Sequence, residues 1–140
     1  MKIFLSGIIT GSHVGKQLHD QGYRQELKQV LQQALPQAEV ICPWDMSPDA
    51  LEYGPEKARQ TFLAEVEAAA GADLVVAYIP QASMGTAIEM WEASRNGVPI
   101  LAISPLGANW VVMLLASQVF PTIEEFARFA ANGGLAAYTR

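Results

Sequence analysis

The chain has 140 residues, of which 51% are hydrophobic and 16% charged, a composition typical of a globular protein with a core of its own. Its net charge of −5 disfavours a nucleic-acid polymer as partner, and no apolar run approaches the roughly 18 residues of a membrane span. Cys42 is the only cysteine, which excludes an internal disulfide and a cysteine-based metal cage. We therefore expect one domain over residues 1–140, cytoplasmic, without a signal peptide and without membrane contact.

A first strand is predicted over residues 2–5, followed by a glycine-rich loop. The loop combines small and hydroxyl-bearing residues of the kind that approach a ligand: Ser6, Gly7, Thr10, Gly11 and Gly15. It lacks the G-x-G-x-x-G pattern and the Gly-Lys-Ser/Thr ending, so the sequence indicates neither a dinucleotide site nor a triphosphate site.

The next two predicted elements are a helix and a strand. A helical period runs from Tyr23 to Leu35 and stops at Pro36. We interpret Tyr23 and Arg24, which open this helix, as packing and surface groups. The second strand covers residues 38–42, and Cys42 at its end is expected to fill core space.

An irregular stretch, residues 43–54, follows the second strand and therefore lies at the carboxyl edge of the predicted sheet. Trp44 could cover a nucleobase there, or it could pack against the flank of its own domain. Asp45 could contact a base edge or a sugar hydroxyl. Pro55 then begins a second long helix that ends at Gly71.

That second long helix carries a predicted inner stripe of Ala58, Phe62, Val66 and Ala69. Glu65 lies in its C-terminal half. Composition alone predicts Glu65 to be an exposed helix charge.

The central segment is a β-loop-α-β unit. A buried strand over residues 74–79 is followed by a turn, a helix over residues 87–96 and a second buried strand over residues 98–103. Ser83 is a suitable N-cap, and Gly85 would let a ligand approach the backbone. Glu89 lies about one turn into the helix and should lean back toward the mouth of the loop. A carboxylate there could be a nucleophile that attacks a sugar carbon, although most helix glutamates are solvated.

Beyond this unit, Asn109 is predicted to cap a helix over residues 110–117. The apolar run Val111–Leu115 suits a helix buried either in a subunit interface or within the monomer. A short strand over residues 118–120 precedes a helix that begins with a Thr-x-x-Glu capping box at Thr122. The tail, residues 132–140, is expected to be partly disordered.

The segment Ser83–Glu89 (SMGTAIE), preceded by Ala72–Ala77 (ADLVVA), resembles the signature of the nucleoside 2-deoxyribosyltransferase family. The resemblance extends to the related 2'-deoxynucleoside 5'-phosphate N-hydrolases through the Gln-x-Ser-x-Gly pattern that begins at Gln81. It implies that Glu89 captures C1' of the sugar. It further implies that Glu65, where the family usually has aspartate, helps to position the nucleophile or to protonate the leaving base.

The resemblance also implies roles for the loops. The first glycine-rich loop, together with Ser83, Gly85 and Thr86, would hold the sugar end of the substrate. Ile8 and Thr10 stand where the phosphate-specific branch has a serine and an arginine. Asn109 corresponds to a polar residue that reaches the active site of a neighbouring subunit, so the resemblance implies a homo-oligomer.

We therefore expect a three-layer α/β/α fold with five parallel strands in the order 2-1-3-4-5. The expected function is cleavage of the N-glycosidic bond of a nucleoside or nucleotide, with transfer to another base or to water. No metal or cofactor is expected, and the partner is a small molecule. A non-catalytic nucleotide-binding module and a domain that mainly builds an oligomer remain as alternatives. The base, the sugar and the presence of a 5'-phosphate stay open.

Overall fold

The apolar runs pair into one parallel sheet in a computed structural model that describes residues 1–139. The strands occur in this order along the chain: β1 (Lys2–Gly7), β2 (Glu39–Ile41), β3 (Leu74–Tyr78), β4 (Ile100–Ile103) and β5 (Gln118–Phe120). The α-helices are α1 (Gly22–Ala34), α2 (Pro43–Met46), α3 (Pro55–Ala70), α4 (Met84–Arg95), α5 (Trp110–Leu115) and α6 (Ile123–Ala131). Two 3-10 helices cover Ala50–Glu52 and Gly134–Tyr138.

The spatial order of the strands is β2-β1-β3-β4-β5, and every neighbouring pair is parallel. Successive side chains of a strand point to opposite faces, so each strand feeds two separate cores. Ile3 and Leu5 of β1 pack with residues of α1 and α6 on one face, whereas Phe4 packs with residues of α3, α4 and α5 on the other. The predicted three-layer fold and strand order are therefore confirmed.

The helix starts follow the predicted caps. Ser83 Oγ accepts a hydrogen bond from the backbone N–H of Thr86, and Asn109 Oδ1 accepts one from the N–H of Val111 at 3.0 Å. Thr122 caps α6 in the same way. Gly97 has a φ of 73°, the left-handed conformation in which glycine commonly ends a helix, here α4. These polar caps satisfy amides that would otherwise lack partners at the carboxyl edge of the sheet.

Strand β1 is longer than the sequence predicted. It reaches Gly7 because Ser6 pairs with Ala77 and Gly7 pairs with Tyr78 on β3. Ser6 is therefore a strand residue and not a loop residue. Its position is fixed by backbone pairing to the neighbouring strand.

The inner stripe predicted for α3 is wrong at Phe62, whose side chain is 37% exposed, whereas Ala69 is fully buried. The reason is length. A helix of 16 residues rises about 24 Å, whereas a five-residue strand spans about 17 Å. The first turns of α3 therefore extend past the carboxyl edge of the sheet, where their apolar side chains meet the segment after β2. That segment was predicted to be irregular but contains α2 and a 3-10 helix.

The C-terminal segment is ordered up to Thr139, contrary to the predicted disorder; Arg140 lies outside the described residues. Gly133 has a φ of 81°, which turns the chain back after α6. Leu135 is then only 1% exposed and belongs to the same apolar cluster as Phe126. A single buried leucine in a short tail is not visible as a periodic pattern in the sequence.

No helix among residues 1–139 is long and apolar enough to cross a membrane.

We predict that Leu135→Ala lowers the free energy of unfolding by about 2–5 kcal/mol, because it empties a filled site in the core. The matched control is Leu63→Ala, since Leu63 is 48% exposed on α3. Urea titration monitored by circular dichroism measures both. Equal stability of Leu135→Ala and the control would show that the tail does not pack as described.

Candidate active site

Glu89 of α4 is buried, with 8% of its surface exposed. Its Oε2 accepts a hydrogen bond from the hydroxyl of Ser6, at the carboxyl end of β1. These two residues lie 83 positions apart in sequence and meet because α4 leads away from β3, the neighbour of β1 in the sheet. Glu89 therefore reaches the carboxyl end of β1, and its carboxyl group is enclosed instead of solvated.

Burial raises the pKa of Glu89 from 4.5 to about 7, since the charged form loses hydration. The hydrogen bond from Ser6 opposes this shift, the negative charge of Glu65 adds to it and the positive charge of Arg24 opposes it. Burial also raises the pKa of Glu65, again opposed by Arg24. The site therefore contains two electrostatically coupled carboxyl groups, of which Glu89 is the more deeply enclosed.

A cavity of about 120 Å³ lies beside Glu65. Its walls are mainly apolar and include Ile9, Trp44, Leu51 and Phe62. Trp44 also packs against an apolar core cluster, which is the flank packing that the sequence left open. The result is an apolar slot with one carboxyl group in its wall.

A second cavity, of about 150 Å³, lies between the N-termini of α4 and α5 and is lined by Ser83 and Asn109, among others. The Ser83 hydroxyl is 2.9 Å from the hydroxyl of the buried Thr86. A Cβ built on Gly85 would meet nothing within 4 Å. No neighbouring group crowds Gly85, and the backbone is open there at the first turn of α4.

Packing explains two of the glycines that the sequence assigned to the first loop, Gly7 and Gly11, but not Gly15, where a Cβ would meet nothing within 4 Å. A Cβ on Gly7 would lie 2.3 Å from the hydroxyl of Tyr23, and Gly11 has a φ of +55° with the His19 ring 2.6 Å from its would-be Cβ. The carbonyl of Thr10 accepts a hydrogen bond from the N–H of His13 at 3.0 Å within this turn. None of these contacts requires a ligand.

Asp45 lies on the surface, outside the two cavities. It is exposed and forms an ion pair with Lys28 of α1. Its carboxylate is therefore already engaged by a cation.

Sequence reasoning missed the burial of Arg24. The prediction of a surface group is wrong, because Arg24 is only 3% exposed. Its Nη2 donates to the carbonyl of Gly7 at 3.1 Å. Tyr23, predicted as a packing group, is buried at 6% exposure, and its hydroxyl donates to the carbonyl of Ile8 at 2.9 Å. The available signal was position: the first turn of a helix that follows a parallel strand lies at the ligand edge of the sheet.

No protein-family model matches the sequence, and the search of curated proteins gave no significant match. Comparison of structures does find relatives. A 2-deoxyribosyltransferase from the psychrotolerant bacterium Bacillus psychrosaccharolyticus superposes with a TM-score of 0.69 at 20% identity, over 91% of this chain and 90% of that one. A conserved protein from Enterococcus faecalis V583 gives a TM-score of 0.67 at 20% identity, over 94% and 97% of the two chains.

A third similar structure is the CMP N-glycosidase BcmB from Clostridium botulinum, with a TM-score of 0.51 at 17% identity, over 94% of this chain and 99% of that one. At these identities the similarity establishes the fold. The resemblance to the nucleoside 2-deoxyribosyltransferase family indicated by the sequence is thus confirmed at the level of the fold.

We predict that Glu89→Gln removes a pH dependence of stability. The pKa of Glu89 is raised on folding, so the native state holds its proton more tightly and wild-type stability falls as pH rises from about 4.5 to about 7. For this buried carboxyl the change is of the order of 3 kcal/mol. Glu89→Gln should therefore gain stability relative to wild type between pH 5 and pH 8.

Urea unfolding of both proteins at pH 5 and pH 8 measures this difference. Glu92→Gln is the matched control, because Glu92 lies on the same helix and its partner is Arg95 near the surface. A wild-type and a Glu89→Gln protein with parallel pH profiles would contradict the buried titration of Glu89.

Proposed function

We propose that this protein cleaves the N-glycosidic bond of a nucleoside or nucleotide through a covalent intermediate on Glu89. The observation that carries the proposal is the buried Glu89 carboxyl group, oriented by the Ser6 hydroxyl and coupled to a second carboxyl group, Glu65. Two carboxyl groups with different environments are the machinery of retaining glycosidic chemistry. The shared fold with a 2-deoxyribosyltransferase and a CMP N-glycosidase supports the same chemistry.

In the first step, a carboxylate oxygen of Glu89 forms a bond to C1' of the sugar as the bond from C1' to the base nitrogen breaks. The electron pair of that bond passes to the base, and Glu65 transfers its proton to a base nitrogen. Burial raises the pKa of Glu65, so that its protonated form persists to higher pH than for a solvated glutamate.

The second step resolves the glycosyl ester. A water molecule, or the nitrogen of another base, attacks C1', and Glu65 in its carboxylate form takes the proton that the attacking group loses. The Glu89 carboxylate is released. The two steps need no oxidant, metal or cofactor, since the carboxyl groups supply both the nucleophile and the proton.

The surrounding residues form two regions, one suited to the base of the substrate and the other to its sugar. The apolar slot with Trp44 and Phe62 suits the flat ring of a base, with Glu65 in reach of its polar edge. The open backbone at Gly85, with the hydroxyls of Ser83 and Thr86, suits the sugar. Ile8 stands where the phosphate-specific branch has a serine. Its side chain is apolar and 1% exposed, so this position offers no polar group to a 5'-phosphate.

We further propose that the protein is a homo-oligomer. The exposed side of α4 and α5 carries six large apolar side chains that are 44–81% exposed: Met84, Ile88, Trp91, Trp110, Met113 and Leu114. Large apolar side chains exposed together on two packed helices are typical of a subunit interface. Because Asn109 begins α5, pairing of this α4–α5 face would place the asparagine of one copy close to the site of another.

We predict that wild type releases free base from at least one member of a panel of deoxynucleosides and their 5'-monophosphates, measured by chromatography. Glu89→Gln should lower the rate by more than about 1000-fold, the scale on which loss of a nucleophile acts. Glu65→Gln should lower it by about 100-fold or more, as for loss of a general acid. Glu92→Gln, the control on the same helix, should keep the wild-type rate.

Release of base by Glu89→Gln at the wild-type rate would contradict the nucleophile assignment. Binding of the panel by wild type, seen by calorimetry, without any base release would favour the non-catalytic nucleotide-binding module.

We predict that Leu114→Glu shifts the protein toward the monomer, because it places a charge on the α4–α5 face. Light scattering coupled to gel filtration measures the mass. Leu63→Glu is the control, since Leu63 is 48% exposed but lies on α3, outside that face. A wild-type protein that is monomeric at all concentrations tested, or loss of assembly in the control alone, would contradict the proposed interface.

A further inference from the structure

Three side chains near the start of α1 hold the end of β1 by its carbonyl groups. Tyr23 Oη donates to the carbonyl of Ile8 at 2.9 Å, and Gln21 Nε2 donates to the same carbonyl at 3.1 Å. Arg24 Nη2 donates to the carbonyl of Gly7 at 3.1 Å. We call Gln21, Tyr23 and Arg24 the carbonyl clamp. The carbonyls that it holds directly follow Ser6, whose hydroxyl contacts Glu89.

The three residues of the carbonyl clamp also contact one another. Arg24 Nε donates to Gln21 Oε1 at 2.8 Å, and the Arg24 guanidinium lies 4.9 Å from the centre of the Tyr23 ring. The Tyr23 ring packs against Tyr78, with ring centres 4.3 Å apart, and fills the space that a side chain at Gly7 would need. Because Gly7 has no side chain, the Tyr23 ring can pack against the end of β1, where the clamp residues reach the two carbonyl groups.

Arg24 is unusual as a structural residue because it is a buried cation without a bonded anion. Within residues 1–139, the ion pairs are Lys16 with Glu52, Lys28 with Asp45, and Arg95 with Glu92. The Arg24 guanidinium is bonded to neutral groups, so its charge is not cancelled by a direct partner. A buried arginine is rarely kept for stability alone, since losing hydration is costly and a hydrophobic residue would pack as well.

We propose that the carbonyl clamp is a positioning device for Glu89: Tyr23 and Arg24 fix the strand end that presents the Ser6 hydroxyl, and Arg24 supplies the positive charge that favours the Glu89 carboxylate. The catalytic consequence rests on the function proposed above, whereas the effect on the Glu89 carboxyl group does not. Tyr23 and Arg24 act through Ser6 and Glu89.

The groups that act on Glu89 come from three elements. Ser6 faces it from β1, Glu65 from α3, and Tyr23 and Arg24 from α1. Arg24 is the only cation in this set and lowers the pKa of Glu89, against the effects of burial and of Glu65. Removing its charge must therefore shift the titration of Glu89 to higher pH.

The test is Arg24→Gln, with Arg128→Gln as the control on an exposed arginine of α6. Carbon-13 NMR of glutamate-labelled protein follows the Glu89 carboxyl group, identified as the signal missing from Glu89→Gln. We expect the titration midpoint to rise in Arg24→Gln and to stay unchanged in Arg128→Gln. In Arg24→Lys, which keeps the positive charge, the titration midpoint of Glu89 should lie nearer to its wild-type value.

Kinetics give the second readout. Below the midpoint, a rise in the pKa of Glu89 lowers its ionised fraction, so kcat of Arg24→Gln at pH 6 should fall severalfold with little change in KM. Tyr23→Phe removes one hydroxyl and no charge, and so tests the clamp even if Arg24→Gln fails to fold. It should lower kcat severalfold and move the Glu89 midpoint less than Arg24→Gln does, because it loosens the Ser6 contact but removes no charge.

An unchanged Glu89 midpoint in Arg24→Gln overturns the electrostatic role of Arg24, and an unchanged kcat in Tyr23→Phe overturns the positioning role. Absence of base release by wild type refutes the proposed function instead. The NMR titration of Glu89 then still tests the effect of the carbonyl clamp on that carboxyl group.

Discussion

The contact between the carboxyl group of Glu89 and the hydroxyl of Ser6 is the constraint on which the site depends. A carboxyl group withdrawn from water favours its neutral form, and a single hydroxyl partner offsets only part of that effect. The pKa of about 7 follows from this balance and places both protonation states within the physiological range. A poorly hydrated carboxylate is also a more reactive nucleophile than a solvated one.

The parallel sheet explains why these groups meet. Strands β1 and β3 are neighbours, so the helices that follow their carboxyl ends begin at the same edge of the sheet. From α1 comes the positive charge of Arg24, from α3 the carboxyl group of Glu65, and from α4 Glu89 itself. Apolar packing on the two faces of the sheet fixes each of these backbone elements. The polar side chains at the edge of the sheet are therefore held in place by a rigid backbone.

The sequence was sufficient to predict the five strands and the caps at Ser83 and Asn109, because apolar runs and capping residues are local properties. The strand order was predicted from the common order of doubly wound α/β folds. The sequence did not predict the burial of Arg24, since a charged residue on an amphipathic helix looks the same whether its partners are solvent or the carbonyls of a distant strand. The packed tail was missed for a related reason. Leu135 is held by tertiary contacts that leave no periodic trace.

The most direct test of the central claim is a search for sugar attached to Glu89. The protein would be mixed with deoxynucleosides and their 5'-monophosphates, quenched in acid during turnover, and examined by intact-mass spectrometry followed by peptide mapping. We predict a mass increase equal to one sugar residue, or its phosphate, on the peptide that contains Glu89, and no such increase in Glu89→Gln. Base release without any adduct on that peptide, or an adduct on another residue, would contradict the account.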